Sequence, residues 1–242
     1  MFYFLLYPIM TYNFILVAAA VIPAVFLMVK VYQSDRLERE SPAMLWLLVK
    51  AGIFAALIAM VEERVLSTLL GFFLPPSAAL YQVILYFGIV AFSEESSKYL
   101  MLKRNSWLSP EFNCQYDGVV YAVFTSLGFA LWENISYVMN YGLSTAVVRA
   151  LTAIPGHACF GVFMGVFYGM AKRAENRGQF DASRISRVLA VVVPALLHGA
   201  YDYIATTEDL SSSWSFVIFI VLLFIASYRL VSRASAEDQY IG

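Results

Sequence analysis

Six ionisable side chains lie in stretches of this chain that are otherwise apolar enough to enter a lipid bilayer. They are Glu94, Glu95, Glu133, His157, His198 and Asp202, and the sequence contains no other histidine. Charged groups at bilayer depth are retained mainly where they face a protein interior or a water-filled cavity. Imidazole and carboxylate groups transfer protons and bind metal ions. The sequence therefore predicts a polar site inside the membrane, suited to one of these two kinds of chemistry.

The first pair of carboxylates, Glu94 and Glu95, precedes Lys98 by four and three residues. On a helix either spacing allows an ion pair, but adjacent residues point about 100° apart. We therefore predict that only one of these glutamates forms an ideal ion pair with Lys98. The other glutamate, for which we favour Glu94, is predicted to face a cavity and to act as a general base. A second acidic pair, Glu62 and Glu63, is interpreted as a solvated pair in a loop.

The other ionisable residues share helix faces with each other or with small residues. His157 is followed by Gly161, Gly165 and Gly169, a spacing that places all four on one face and lets a second helix approach closely. His198 and Asp202 are four residues apart and also share a face, so the carboxylate is able to orient the imidazole or to bind the same metal.

Glu133 is followed by Asn134, which adds a second polar group at the same depth. An interfacial glutamate beside the aromatic residues Trp132 and Tyr137 is the alternative interpretation. We favour a site in which both side chains take part.

Composition identifies the class of protein that must hold these residues. Of the 242 residues 61% are hydrophobic and 14% are charged, and the mean hydropathy is +0.71. Soluble domains have roughly 25% charged residues. We predict an all-α, polytopic transmembrane bundle that forms a single domain over 1–242, with a motif-bearing core at about 78–206. The lipid bilayer is its environment, and the net charge of −1 gives no indication of a nucleic-acid partner.

A transmembrane helix needs about 20 mostly apolar residues. That length predicts about seven spans and, at 61–76, a short interfacial helix ended by two prolines. Lysine and arginine are concentrated in the first, third and fifth loops and in the C-terminal tail, so we predict an N-terminus outside and a C-terminus in the cytoplasm. The predicted spans are 10–31, 43–60, 78–100, 117–139, 144–171, 185–206 and 213–231.

This topology predicts a conflict in depth. Glu94 would lie roughly 24 Å from the outer end of the third span, whereas Glu133 on the next span would lie nearer the outer surface. We expect a tilt or displacement of the third span, or the entry of water, to bring the two carboxylates together.

Four motifs in order along the chain resemble those of the PrsW family of intramembrane proteases, which is grouped with the CAAX-protease and bacteriocin-processing membrane enzymes. The four motifs are Glu94-Glu95-x-x-Lys98, Phe129-x-x-x-Glu133-Asn134, His157 and His198-x-x-x-Asp202. The second and last of these motifs differ from those of CAAX-type enzymes, which have histidine and asparagine at the positions of Glu133 and Asp202.

The resemblance implies proteolysis of membrane-tethered proteins by a multi-pass protein of the bacterial cell (inner) membrane. Typical of the family is site-1 cleavage of a single-pass anti-sigma factor. Its implied catalytic residues are Glu94, Glu95, Glu133, His157 and His198, with Lys98 and Asn134 in support.

A peptidase must polarise a carbonyl group, deprotonate a water molecule and protonate the leaving amine. We predict that a divalent metal, with zinc favoured, assists Glu94 or Glu95 as the base. In a metal-free alternative, Glu94 activates the water while His198 and Asn134 stabilise the oxyanion. The predicted metal ligands are Glu133, His157, His198 and Asp202.

Two further classes of protein stay open from the residues alone. A proton- or ion-coupled carrier also uses intramembrane carboxylates and histidines, and a haem protein would use His157 and His198 as axial ligands.

Overall fold

The computed structural model describes residues 2–206 and 210–241, with side chains from 11 to 206 and from 214 to 241. The helices within these ranges are α-helices and one π-helical segment, Ile84–Val90, between α3 and α4. The α-helices are α1 (Phe2–Gln33), α2 (Pro42–Phe73), α3 (Ala79–Val83), α4 (Ala91–Ser106), α5 (Asp117–Tyr141), α6 (Leu143–Leu151), α7 (Ala153–Asn176), α8 (Phe180–Ala205) and α9 (Leu210–Ala236). The all-α prediction is confirmed.

Six helical stretches of the described chain are long and apolar enough to cross a membrane. They correspond to all the predicted spans except the third. The third, predicted at 78–100, instead forms α3, the π-helical segment and the polar helix α4. The six stretches are Thr11–Gln33, Pro42–Phe73, Asp117–Tyr141, Leu143–Asn176, Phe180–Ala205 and Trp214–Ala236.

Helix α2 is longer than its predicted span. Ser41 caps it by accepting a hydrogen bond from the Met44 amide at 3.1 Å, and Pro42 occupies the first turn, where its missing N–H costs nothing. The helix then continues without a break to Phe73, just before the prolines. The prediction of a separate interfacial helix at 61–76 is therefore wrong, and Glu62 and Glu63 lie on α2 rather than in a loop.

Helix α5 lies at the centre of the bundle, where every residue from Asp117 to Ala130 is buried. Small residues let its neighbours approach. A Cβ atom on Gly165 of α7 would lie 2.4 Å from the Val119 Cα atom of α5, and one on Gly52 of α2 would lie 2.0 Å from the Thr125 carbonyl oxygen. The predicted glycine face of α7 is thus packed directly against α5.

The predicted conflict in depth does not arise, because α4 continues to Ser106 and so extends beyond the predicted end of the third span. Glu94 therefore lies roughly 18 Å along its helix from the loop that joins α4 to α5. Glu133 lies roughly 24 Å from the same loop along α5. The depths of Glu94 and Glu133 therefore differ by about one helical turn, a difference that long side chains are able to span.

Candidate active site

Lys98 is the centre of a buried polar cluster. Its Nζ atom lies 3.1 Å from Glu94 Oε2 and 2.8 Å from Glu95 Oε1 on the same helix. It also lies 3.1 Å from His157 Nδ1 on α7, and 4.0 Å from the centre of the Phe129 ring on α5. The prediction that Lys98 would pair well with only one glutamate is wrong, because its long side chain places the ammonium between the two carboxylates.

His157 joins this cluster to α5. Its Nε2 atom lies 2.8 Å from Glu133 Oε2, and Arg149 of α6 contacts the same oxygen at 3.0 Å. Because an ammonium only donates hydrogen bonds, the Lys98 contact makes Nδ1 the acceptor, so Nε2 carries the proton that is donated to Glu133. Charge on Glu133 is therefore balanced by Arg149 while His157 stays neutral.

His198 joins the cluster to α8. Its Nδ1 atom lies 2.9 Å from Glu95 Oε1 and 3.8 Å from Glu94 Oε2, while its Nε2 atom lies 3.4 Å from Asp202 Oδ2. The Phe160 ring stacks on the imidazole with centroids 4.7 Å apart. The predicted contact between His198 and Asp202 is present, and Glu95 holds the other ring nitrogen.

A cavity of about 700 Å³ opens onto this cluster. Its wall includes Glu94 but neither Glu95 nor Lys98, which are completely buried. Of the two adjacent glutamates, the favoured base is thus the one that reaches the cavity. The other predicted site residues in its wall are Glu133, His157, His198 and Asp202.

Asn134 is placed differently from its predicted role in stabilising an oxyanion. Its side chain is buried outside the cavity wall, donates to the Ala20 carbonyl oxygen at 2.9 Å and accepts from Arg149 Nε at 2.9 Å. Because both the NH₂ group and the oxygen of its amide form hydrogen bonds, Asn134 positions Arg149 and connects α5 to α1.

Two residues of the site were not predicted to belong to it. Glu63 lines the cavity from α2, and Arg149 lines it beside Glu133. Glu62, next to Glu63, accepts a hydrogen bond from Ser97 Oγ at 3.3 Å. The signal for Arg149 was its position as an isolated basic residue inside the predicted span 144–171, whereas Glu63 was misassigned because α2 was predicted to end too early.

The predicted metal ligands do not converge on one point. Glu133 is paired with His157 and Arg149, and Asp202 with His198, so the four ligands form two separate histidine–carboxylate pairs. The donor atoms that do converge belong to Glu94, Glu95 and His157, all within 4.8 Å of one another.

This second donor set suits a divalent metal. Its nitrogen and oxygen atoms are those that zinc binds, and Glu95 Oε2 is buried without a hydrogen-bond partner. Glu133 behind His157 matches the carboxylate that commonly orients a metal-binding imidazole. The Lys98 ammonium lies among the same donors, so a metal ion would have to displace it.

Comparison with known proteins identifies the family. A family model described as PrsW family intramembrane metalloprotease matches residues 40–228. The chain belongs to this family. Residues 40–228 include all the polar side chains of the site and most of the bundle around them. No solved structure matches the chain.

Curated relatives agree with the family assignment. The protein named Protease PrsW from Bacillus subtilis (strain 168) is 37% identical over 148 residues, which cover 61% of this chain and 64% of the relative. Protease PrsW from Shouchella clausii (strain KSM-K16) is 31% identical over 229 residues, or 91% and 97% of the two chains. Protease PrsW from Halalkalibacterium halodurans is 31% identical over 230 residues, or 93% and 100%.

The PrsW relatives and the six apolar helices establish a multi-pass bacterial membrane protein with peptidase activity. This finding decides between the classes that the residues alone had left open. The family assignment favours the protease over the carrier and the haem protein.

Proposed function

We propose that this PrsW-family peptidase cleaves membrane-tethered proteins by using Glu94 to activate a water molecule. The observation that carries the proposal is the presence of Glu94, His157 and His198 together in the wall of one cavity inside the bundle. A base and two imidazoles around one space are sufficient to deprotonate a nucleophile and to protonate a leaving group.

Each polar residue has a defined part in this proposal. Glu94 takes the proton of the attacking water and is held in place by Lys98 at 3.1 Å. His198, fixed through Nδ1 by Glu95, presents Nε2 for delivering a proton to the leaving amine. Asp202 stabilises the cationic form of His198 that carries this proton.

A metal ion would be held by Glu94, Glu95 and His157, with zinc as the favoured element. When bound, it would polarise the scissile carbonyl and lower the pKa of water. In the metal-free alternative the Lys98 ammonium keeps its place and Glu94 acts as the base alone. The position of Lys98, 2.8–3.1 Å from the same donors, is the observation that supports this alternative.

The position of the site along the helices supports a substrate that is cut near the outer face of the membrane. Glu133, His157 and Asp202 lie close to the helix ends Tyr141, Ala153 and Ala205. These ends are opposite the loops that are rich in lysine and arginine, which mark the cytoplasmic side. We therefore propose site-1-type cleavage of a single-pass protein such as an anti-sigma factor.

Reconstitution with a single-pass reporter tests the proposed activity. We expect the wild-type protein to cut the reporter in or beside the outer half of its transmembrane segment, as located by mass spectrometry of the fragments. His198→Ala should lower the cleavage rate at least about 100-fold, since general acid–base catalysis contributes about 10²–10⁴. His157→Ala should lower it to a similar degree, because it removes the side chain that joins Lys98 to Glu133. Cys159→Ala, a change on the same helix outside the cavity wall, should keep the wild-type rate.

The amounts of these variants in the membrane must equal that of the wild type for the comparison to hold. Cleavage at the wild-type rate by either histidine variant would remove that histidine from the mechanism. A cut in a soluble loop far from the membrane would contradict the proposed substrate class.

Elemental analysis of protein that still cleaves the reporter tests the metal. We expect about one zinc ion per chain, its loss together with activity after chelation, and recovery of both on adding zinc back. His157→Ala should lower the zinc content because it removes the only nitrogen among the converging donors. Full activity in zinc-free protein would contradict the zinc hypothesis.

A further inference from the structure

A second cluster of buried carboxylates lies at the opposite end of the bundle from the cavity. Asp35 and Glu40 belong to the loop between α1 and α2, and Asp117 is the first residue of α5. One oxygen from each of the three carboxylates lies within 4.8 Å of those from the other two. None of the three residues lines the active-site cavity.

The carboxylate oxygens of this cluster are not all satisfied by the protein. Asp35 is only 5% exposed, yet neither of its oxygens has a hydrogen-bond partner. The Leu37 and Glu38 amides are near enough to affect its pKa but do not reach hydrogen-bonding geometry. Asp117 is 0% exposed, and its Oδ1 atom also lacks a partner. Buried polar atoms without partners are rare and indicate an unseen ligand, water molecule or proton.

The other contacts of the cluster leave room for a ligand. Asp117 Oδ2 accepts hydrogen bonds from the Asn113 and Cys114 amides at 3.0 and 2.7 Å, and Glu40 Oε2 accepts one from the Tyr121 hydroxyl at 2.6 Å. Asp117 Oδ1 and both Asp35 oxygens therefore stay available, while Glu40 lies close enough to Asp117 for the two carboxyl groups to share a hydrogen bond.

The negative charge of the cluster is only partly balanced, since Arg39 lies near enough to lower the pKa of Asp35 but forms no ion pair with it. Among the described residues, none of the salt bridges involves these three carboxylates. Burial and the nearby Asp238 carboxylate raise the pKa of Asp35 to about 6. Burial likewise raises the pKa of Glu40 to about 7. Carboxylates packed this closely must be neutralised by a proton or by a bound cation.

We propose that Asp35, Glu40 and Asp117 bind one hard divalent cation, either Mg²⁺ or Ca²⁺. Both ions prefer oxygen ligands, at about 2.0–2.1 Å for Mg²⁺ and 2.3–2.6 Å for Ca²⁺. Two oxygens on opposite sides of such an ion are roughly 4–5 Å apart. The three carboxylate oxygens of this cluster lie within 4.8 Å of one another, which fits that spacing. Water molecules complete the coordination, as is usual for Mg²⁺.

Such an ion would lie where three parts of the chain meet at this end of the bundle. It joins the loop between α1 and α2 to the start of α5. The C-terminal segment lies against the same place, since Asp238 Oδ1 accepts a hydrogen bond from the Tyr116 amide at 2.8 Å. The cation therefore stabilises the position of α5, the helix whose other half carries Glu133.

Thermal unfolding of the full-length protein in detergent tests this site, with MgCl₂ and CaCl₂ as separate probes at pH 7.5. A ligand that binds only the folded state raises Tm as its concentration increases. We expect one of the two ions to raise Tm by at least about 3 °C at 10 mM, and the ion that acts at the lower concentration is the natural ligand. Asp35→Asn should abolish this rise, because it replaces a negatively charged ligand with an uncharged amide.

Two control variants separate the proposed site from other acidic groups. Glu38→Gln changes an exposed residue of the same loop and should keep the full Tm rise. His157→Ala removes a member of the active-site cluster and should also keep it. If Asp35→Asn fails to fold, luminescence of Tb³⁺ bound beside Tyr121 in the wild-type protein, displaced by Mg²⁺ or Ca²⁺, provides the same information.

Absence of any Tm rise up to 10 mM of both ions, or an equal rise in Asp35→Asn, would overturn the proposal. In that case Glu40 and Asp117, which are close enough to share a proton, are neutralised by protonation. Loss of the rise in His157→Ala together with its persistence in Asp35→Asn would likewise overturn it, by assigning the ion to the active site.

Discussion

Replacing Glu94 by glutamine is expected to lower the rate of reporter cleavage by about 10³-fold, because a positioned general base contributes about 10²–10⁴. The amide keeps the shape of the side chain but cannot take a proton from water. Glu94 is the member of its pair that lines the cavity, and it lies 3.1 Å from Lys98 and 3.8 Å from His198. The measurement is the initial rate of fragment formation in liposomes with equal amounts of folded protein.

Two further glutamine variants test whether the loss of activity is specific to Glu94. Glu95→Gln should also lower the rate, since Glu95 holds both Lys98 and His198, but by a smaller factor because its carboxylate does not reach the cavity. Glu38→Gln, in an exposed loop, should leave the rate unchanged. A Glu94→Gln enzyme within tenfold of the wild type, or a larger loss in Glu95→Gln, would move the role of base away from Glu94.

Sequence patterns were sufficient for the contacts that depend on one helix or on one pair of helices. The spacing of His198 and Asp202 predicts their contact directly. The glycines that follow His157 predict the close packing of α7, and this packing brings His157 to Glu133 on α5. In each case the helical repeat determines which side chains share a face.

The arrangement of several helices around one point could not be predicted in the same way. Spacing along the chain does not show that α2 continues to Phe73, and this extension is what brings Glu63 into the cavity wall. It also does not reveal the converging donors Glu94, Glu95 and His157, because their meeting depends on how the segment from α3 to α4 packs against α7. Long-range packing, rather than local preference, decides the composition of the site.

Lys98 shows most clearly that such packing cannot be predicted from spacing, since its single ammonium contacts residues from three helices, α4, α5 and α7. In low-dielectric surroundings it compensates two carboxylates that would otherwise repel each other and lose their hydration. Its 0% exposure means that bulk water does not screen its ion pairs. The residue is therefore expected to determine stability as well as the placement of Glu94.

Replacement of Lys98 by methionine should lower the free energy of unfolding by about 3–5 kcal/mol, the usual effect of removing one partner from a buried ion pair. Methionine retains most of the length and apolar volume, so the change mainly removes the charge. The free energy is measured from reversible unfolding in mixed micelles. Lys103→Met, on the same helix but only half-buried, should change it by less than about 1 kcal/mol.

The decisive comparison combines Lys98→Met with Glu95→Gln. Because Glu95 contacts Lys98 at 2.8 Å, removing its charge leaves fewer uncompensated carboxylates in the variant that lacks the ammonium. The double variant should therefore regain part of the lost stability, with a coupling energy of about 1–3 kcal/mol in the double-mutant cycle. It should stay inactive, since neither change restores the support of Glu94 by Lys98. Additive losses in the two variants would show that Lys98 and Glu95 do not depend on each other, and the description of Lys98 as the centre of the site would then be wrong.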